Sequence, residues 1–437
     1  MKIGLVGNMN NNNFSLLRYF RDLGADAHLL LHAEDGRGSL SHFQPSADTW
    51  QMERWQPFIH QTKIPNTPIA GLGFPMSSLM AIRSLIRAQL GGTDSWVAPI
   101  SRSAIRKTYA EYDFLIGSGL TPAILQRINR SLDVFYPYAI QVEYLHAPQF
   151  TAWLNSTKGM VHLGLRWLQQ RQAAGIRRAN YVFNADPGVT QTTLAKIGAS
   201  PKQMAIPMVY SREPLPAAPP TSILREAATL ARESSISVLH HARLLWQNPG
   251  SYTDEEWTHE NKNSQRFFTA LASLLKERTG LRPRVFVVEY GPDVAATKGL
   301  VSQLGLDNFV TWLPIMARKE LMWLITQVSL VIGEFYDVDR MIWGGTGWEA
   351  LASGKPILQG FLFDDGEFAE LYGYPPPPLL KVRHEADILD SLRLAVDQPQ
   401  KLRELGEAAR VWFDQYNGIG LAQQWLNHLG AERPQNS

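Results

Sequence analysis

The chain has 437 residues and not one cysteine. Disulfides and thiolate metal sites are therefore excluded, and a reducing compartment is compatible. Long apolar runs are also missing: none approaches the ~18 residues that a membrane-spanning helix needs. Neither sign of charge dominates. Lys and Arg total 42 against 40 Asp and Glu, a net +2, so composition gives no support for a nucleic-acid partner. The opening Met1-Lys2-Ile3-Gly4-Leu5-Val6 enters a strand pattern directly and lacks the apolar core and cleavage site of a secretory signal. The expected location is cytoplasmic. After this first strand there is no GxGxxG. Asparagines stand in its place, Gly7-Asn8-Met9-Asn10-Asn11-Asn12-Asn13, so an NAD site is poorly supported. Tolerance of turn geometry and sugar binding explain these asparagines equally well.

Hydrophobic residues make up 45% of the chain, enough for buried cores, and the length calls for two domains. Strand-like runs alternate with helical spacings twice over, which means two doubly wound α/β domains facing each other. The first series holds strands at Ile3 to Gly7, Ala27 to Leu31, Asp113 to Ser118, Val134 to Tyr138 (a strand and bend) and Tyr181 to Asn184, with 35–110 irregular. A basic region (Arg83, Arg87, Arg102, Arg106, Lys107, with Trp96 inside it) and a helix from Met160 to Asn180 carrying Trp167 and four arginines permit peripheral membrane contact. A solvated helix face explains them as well. Glu143 and His146 follow a strand end, where side chains face the ligand crevice of such folds; a purely structural role is open for both. Prolines 214, 216, 219 and 220 mark a linker. The expected boundaries are 1–212, 226–398 and 399–437, the last as helices crossing back to the first domain.

The second series is organised around Val331 to Phe361. A buried strand leads to an acidic loop, Glu334, Asp337 and Asp339, then to Gly344-Gly345-Thr346-Gly347 and a short helix from Trp348. Glycines before a helix let backbone N–H groups approach an anion, and the helix dipole favours negative charge there. This is a diphosphate cradle in outline; a tight turn with Glu349 as a dipole partner is the alternative. Arg243 lies just past another strand end and Lys262 at the opening of the next helix, a fork and a point charge suited to phosphate. Asp337-Val338-Asp339 formally reads as a metal-binding DxD, but Arg243 and Lys262 already supply positive charge, so no metal is expected. His240-His241 are adjacent on a strand and point to opposite faces, so at most one faces the cleft.

In this order the residues resemble the donor domain of a GT-B-fold retaining glycosyltransferase, family 4 of that class above all. The resemblance implies that Arg243 and Lys262 bind the donor diphosphate. It also implies that Gly291 follows the next strand and that Glu349, followed by Ala350 and Gly354-Lys355-Pro356, holds the nucleotide ribose. The first Glu of the family's E-x7-E pair is replaced by Met341, with Asp339 or Asp337 as substitutes; His146 is the candidate for the histidine of the first domain. The implied reaction moves a sugar from a nucleotide-diphosphate-sugar to an acceptor hydroxyl, on a glycan, a lipid-linked or a small molecule, with no cofactor beyond the donor substrate. A nucleotide-sugar 2-epimerase and a non-catalytic carbohydrate-binding protein are the rival readings on the same fold.

Overall fold

A computed structural model describes residues 1–33, 44–64, 66, 101–138, 140–143, 145–156, 160–250, 254–338 and 345–430. The chain divides into two units. One comprises Met1–Ser46, Gln51–Met208 and Leu421–Ser437, the other Ala47–Trp50 and Val209–Gly420.

The first unit is built on seven strands: β1 (Lys2–Val6), β2 (Asp26–Leu31), β3 (Ile59–Gln61), β4 (Phe114–Gly117), β5 (Val134–Phe135), β6 (Tyr181–Asn184) and β7 (Lys202–Gln203). Their order is β3-β2-β1-β4-β5-β6-β7, parallel throughout. The four residues Ile3 to Val6 are all buried, because helices cover both faces of a parallel sheet and leave no room for polar alternation. Helix Asn12–Asp22 lies against this sheet with Phe14, Leu16, Leu17 and Phe20 fully buried, and Gly24 ends it at φ +81°. The last helix, Ile419–Gly430, brings Trp425 onto Tyr136 and Phe183, with its indole N–H donating to the Ala205 carbonyl at 2.9 Å.

The second unit repeats the plan with six parallel strands: β8 (Ile236–His240), β9 (Pro283–Val288), β10 (Val310–Leu313), β11 (Leu330–Ile332), β12 (Ile357–Gly360) and β13 (Leu380–Val382), in the order β10-β9-β8-β11-β12-β13. Every residue of β8 and β11 is buried. Helix Gln265–Glu277 turns Phe267, Phe268, Leu271 and Leu274 onto the sheet at the three- and four-residue spacing of one helical stripe.

Local structure departs from the sequence reading in places. The 35–110 stretch holds β3 and the helix Arg102–Tyr109, whose first turn is capped by the Ser101 hydroxyl. That helix buries only Ile105 and Tyr109, too sparse a pattern to show as a period. Helix Ser222–Glu233, capped by Thr221, follows the prolines at once. Pro399–Tyr416 belongs to the second unit, and the chain enters the first only at Leu421.

Candidate functional site

In the second unit the strand order reverses at the β8–β11 pair. Open α/β sheets take ligands at that switch point, outside the carboxyl ends of the strands. The residues His241 to Leu245, which leave β8 there, form a hub. The Lys262 amide donates to the Leu245 carbonyl at 2.8 Å, and the Leu244 amide donates to the Tyr290 carbonyl at 2.8 Å. Gly291 sits at φ +120°, where a Cβ would lie 2.3 Å from the Leu244 carbonyl oxygen, so only glycine lets the two loops close. Asp293 fixes the far side of the hub, accepting from the Trp246 and Gln247 amides at 2.6 and 2.8 Å. Arg243 stands exposed on this hub and forms no hydrogen bond or ion pair among the described residues.

Lys262 lies between two helices rather than opening one. Asp254–Glu260 ends before it and Gln265–Glu277 begins after it. Its ammonium is 3.4 Å from Glu334 and donates to the Tyr336 hydroxyl, which donates in turn to Glu334. Burial and the Glu334 carboxylate push the Tyr336 phenol far up, so it stays protonated and donates. Asp337 is held by a two-pronged contact to Arg266 at 2.8 and 2.9 Å and by the Asn263 amide at 2.8 Å. The acidic loop is thus tied back on its own unit, and Asp337 serves as a loop anchor here. Asp339, Met341 and Gly344 lie outside the described residues, as do Arg83, Arg87 and Trp96. Among the described residues, no cluster of three or more His, Asp or Glu is placed to hold a metal ion.

The helix after the acidic loop starts earlier than Trp348. It spans Gly345–Ala352, so Gly345, Thr346 and Gly347 form its first turn and Glu349 comes one turn in. Arg410 of helix Pro399–Tyr416 donates to the Ala352 carbonyl at 2.6 Å and satisfies the carboxyl end. Glu349 is almost entirely enclosed. Its Oε2 meets His241 Nε2 at 3.0 Å and its Oε1 accepts from Arg318 Nε at 2.9 Å. Arg318 reaches on to Asp48 at 3.3 Å. Burial alone would raise the Glu349 carboxyl, but the His241 hydrogen bond and the Arg318 charge outweigh it and hold it below its ordinary value. Burial likewise opposes the Arg318 charge, and the Asp48 and Glu349 carboxylates reverse that, so the guanidinium is held more firmly than usual. Asp48 reaches the network from Ala47–Trp50, the short segment of the N-terminal half assigned to this unit. Glu213 anchors that segment by accepting from the Thr49 hydroxyl and the Trp50 amide at 2.8 and 2.7 Å.

The first unit gathers a separate group at its own switch point, β1–β4. Several asparagines of the first loop bond one another and the backbone, while Asn12 Oδ1 is buried with no partner among the described residues. Asn8 bonds Asn11 at 2.6 Å, Asn13 donates to the Val6 and Gly7 carbonyls, and Tyr136 donates to Asn13 at 2.8 Å. Asn10 and Asn11 have φ of 52° and 57°, a region that asparagine tolerates. The run thus adopts a turn. Glu143 Oε1 accepts from the Gly119 and Tyr138 amides, each at 3.3 Å, while Oε2 is closed off with no partner among the described residues. Burial pushes this carboxyl up to about 8. His146 bonds Gln172 at 3.1 Å, and Gln172 donates to the Gly119 carbonyl at 2.9 Å, so Glu143 and His146 meet at the loop after β4. Burial pushes His146 down, towards the neutral ring.

A carboxyl raised in the folded state makes stability fall as pH climbs from its unfolded value, 4.5, to about 8. Over that window the native state holds a proton that the unfolded chain has lost, at roughly 1.4 kcal/mol per pH unit. Glu143→Gln removes the titration. Its melting temperature should exceed the parent's at pH 9 and match it near pH 5, as read by calorimetry at both pH values.

Arg243, Lys262, Gly291 and Glu349 thus all converge on the His241–Leu245 hub, and Gly345, Thr346 and Gly347 enter through the helix that carries Glu349. His146 belongs to the first unit's group instead. Arg318 and Asp48 escaped the sequence reading, and Glu334, read as part of the acidic loop, was not seen to pair with Lys262. His241 carried one signal, its place at a strand end beside a second histidine that must face the other way. His240 does so, stacking on Phe268 with ring centroids 5.9 Å apart.

Two parallel sheets, each ordered 3-2-1-4-5-6 through its first six strands and each with a loop cluster at its switch point, define a two-domain α/β protein of the GT-B type. No protein-family model and no curated protein matches the chain. Solved structures do. HepE of Anabaena, in complex with UDP and glucose, is similar over 99% of this chain and 100% of its own, with 16% identity and a TM-score of 0.57. Sucrose-phosphate synthase of Thermosynechococcus elongatus gives 13% and 0.54 over the same shares. UDP-GlcNAc 2-epimerase of Neisseria meningitidis, bound to UDP-GlcNAc, also gives 13% and 0.54 over those shares. Among the described residues, no helix is long and apolar enough to cross a membrane.

Proposed function

We propose that the protein transfers a sugar from a nucleotide-diphosphate donor, bound by the second unit, to an acceptor hydroxyl bound by the first. The observation that carries this reading is an exposed arginine on one loop at the switch point of the second sheet, to which the segment bearing Lys262 and, through Glu349, a glycine-led helix are joined. Breaking the bond between the anomeric carbon and the diphosphate oxygen puts negative charge on the leaving group. Arg243, Lys262 and the first amides of helix Gly345–Ala352 stabilise that charge. Lys262 exchanges its Glu334 and Tyr336 contacts for phosphate as the donor enters. The acceptor oxygen forms the new bond on the face from which the diphosphate departs. Its proton goes to the leaving diphosphate oxygen, and the anomeric configuration is retained. The solved neighbours carrying UDP or UDP-GlcNAc make uridine the first base to test.

Calorimetric titration with UDP, GDP, ADP and dTDP should give saturable binding for one of them, expected to be UDP. No heat with any would leave a non-catalytic protein as the better account. A 2-epimerase is the second reading, favoured by Glu143, a buried carboxyl that holds its proton near neutral pH. Incubating UDP-sugar alone separates the two: an epimerase converts it to the 2-epimer, whereas a transferase hydrolyses it slowly.

A further inference from the structure

Helix Met160–Arg177 of the first unit lies in a stretch, 144–185, that contains no Asp or Glu. The cations at its carboxyl end are engaged within the fold. Arg177 donates to the Ile197 carbonyl at 3.0 Å, and Arg178, the next residue, to Gln126 and Asn129 at 3.2 Å each. The cations before them keep different company. Leu163 and Trp167 are 65% and 41% exposed, one helical turn apart, with Arg166 exposed between them. Arg171, one turn further along the same face, holds its guanidinium 4.0 Å from the centroid of the Trp167 ring. Two more cations come close enough for their charges to be felt. Arg127 ends the short helix Thr121–Gln126, which packs so tightly on Met160–Arg177 that a Cβ on Gly175 would lie 2.6 Å from the Pro122 carbonyl oxygen. Arg102 opens helix Arg102–Tyr109, at the end where the helix dipole disfavours a cation. Neither of these helices contains an acid. Burial first, then the Arg102 charge, push the Arg127 guanidinium down, and burial followed by the Arg127 and Arg102 charges does the same to Arg171.

Independently of the nucleotide-sugar reading, we propose that this face of the first unit docks on the surface of an anionic lipid bilayer. Leu163 and Trp167 enter the headgroup boundary, and Arg102, Arg127, Arg166 and Arg171 lie among the lipid phosphates. The two kinds of side chain together select this partner. Cations gathered on one face repel one another, and a layer of phosphates offsets that cost. A small soluble anion would meet the arginines but leave Leu163 and Trp167 in water. A bilayer takes both, because an indole sits at headgroup level with its apolar body inward. The opposite side of the helix is not free to insert: Leu165, Leu168, Ala173 and Ile176 are buried in the fold. Only the exposed side chains reach the lipid, so the contact is shallow and mainly electrostatic, and salt should weaken it.

The test is flotation of the full-length protein with vesicles of phosphatidylcholine alone and of phosphatidylcholine mixed with phosphatidylglycerol. The protein should float with the mixed vesicles, stay behind with the neutral ones, and be released by high salt. Arg127→Gln with Arg171→Gln should lower partitioning by roughly thirtyfold, about fivefold for each charge lost at the surface. Lys276→Gln with Arg282→Gln makes the same charge change at exposed sites of the second unit and should leave flotation unaltered. With lipids brominated on the acyl chains, vesicle binding should quench part of the tryptophan fluorescence, and Trp167→Phe should bind while losing that quenched part. Thermal melting of each variant separates lost binding from lost folding. A parent that does not float overturns the inference, as does equal flotation with neutral vesicles. Equal loss in the two double variants would mean that net charge alone drives binding and overturns it too. If the parent stays behind while inorganic phosphate raises its melting temperature through Arg127 and Arg171, the face is a site for small anions and the bilayer falls.

Discussion

Arg243→Ala should lower kcat/KM for the nucleotide-sugar by roughly 10²- to 10³-fold, the scale seen when one preorganised donor to a developing charge is removed. The physical reason is position. Arg243 is exposed at the switch point, on a loop pinned by Leu244, Leu245 and Asp293, and forms no hydrogen bond or ion pair among the described residues. Nothing in the fold depends on its charge, so stability should stay within about 0.5 kcal/mol of the parent. Lys262→Ala is a poorer probe, because it also strips Glu334 of its buried counter-charge. Initial rates over a donor series, paired with thermal melts, make the comparison. An Arg243→Ala protein with parental kcat/KM sinks the phosphate assignment.

Arg318→Ala should have the largest effect on the fold. Arg318 is the cation between Glu349 and Asp48, whose side chains are 8% and 2% exposed. Removing one partner of a buried ion pair typically costs about 3–5 kcal/mol, mostly for the charge left behind. Chemical denaturation at pH 7 should register a loss of this order. The pH dependence follows from Glu349. Its folded carboxyl is held below the ordinary 4.5, so its contribution is complete above that value and is lost as pH falls through the lower folded value. The parent should therefore lose stability on acidification below about pH 4.5 more steeply than Arg318→Ala does. Parallel acid profiles would mean that the guanidinium does not set the Glu349 charge.

The two expectations differ because one cation faces outward and the other lies within a closed network, and the sequence gives no sign of that difference. Arg243 was legible because it follows an apolar run that can only be a buried strand, and because the end of such a strand is where an open sheet takes ligands. Gly291 was legible for the same reason, although its cause is closer packing than the motif implies. Lys262 was found by type and spacing, yet its engagement with Glu334 and Tyr336 was not, because that contact spans 72 positions or more and depends on how an acidic loop folds back. The asparagine run forms a turn, shaped by hydrogen bonds with Val6, Gly7 and Tyr136 that the sequence did not show. That Glu143 and, through Gln172, His146 both reach Gly119 was equally out of reach, since Gln172 comes from a distant helix.

By itself the sequence determined the architecture: alternating buried strands and amphipathic helices, twice over, admit little besides two parallel sheets, because each apolar run must be covered on both faces. It also determined that cations and a glycine-led helix fall at strand ends in the second half. Only the tertiary structure decided what those groups touch. Asp48 reaches Arg318 from 270 positions away, and Glu349, which reads in sequence as an open acceptor, is enclosed by Arg318 and His241. Local pattern specifies the elements, whereas the burial of charge is set by which distant segments close over them.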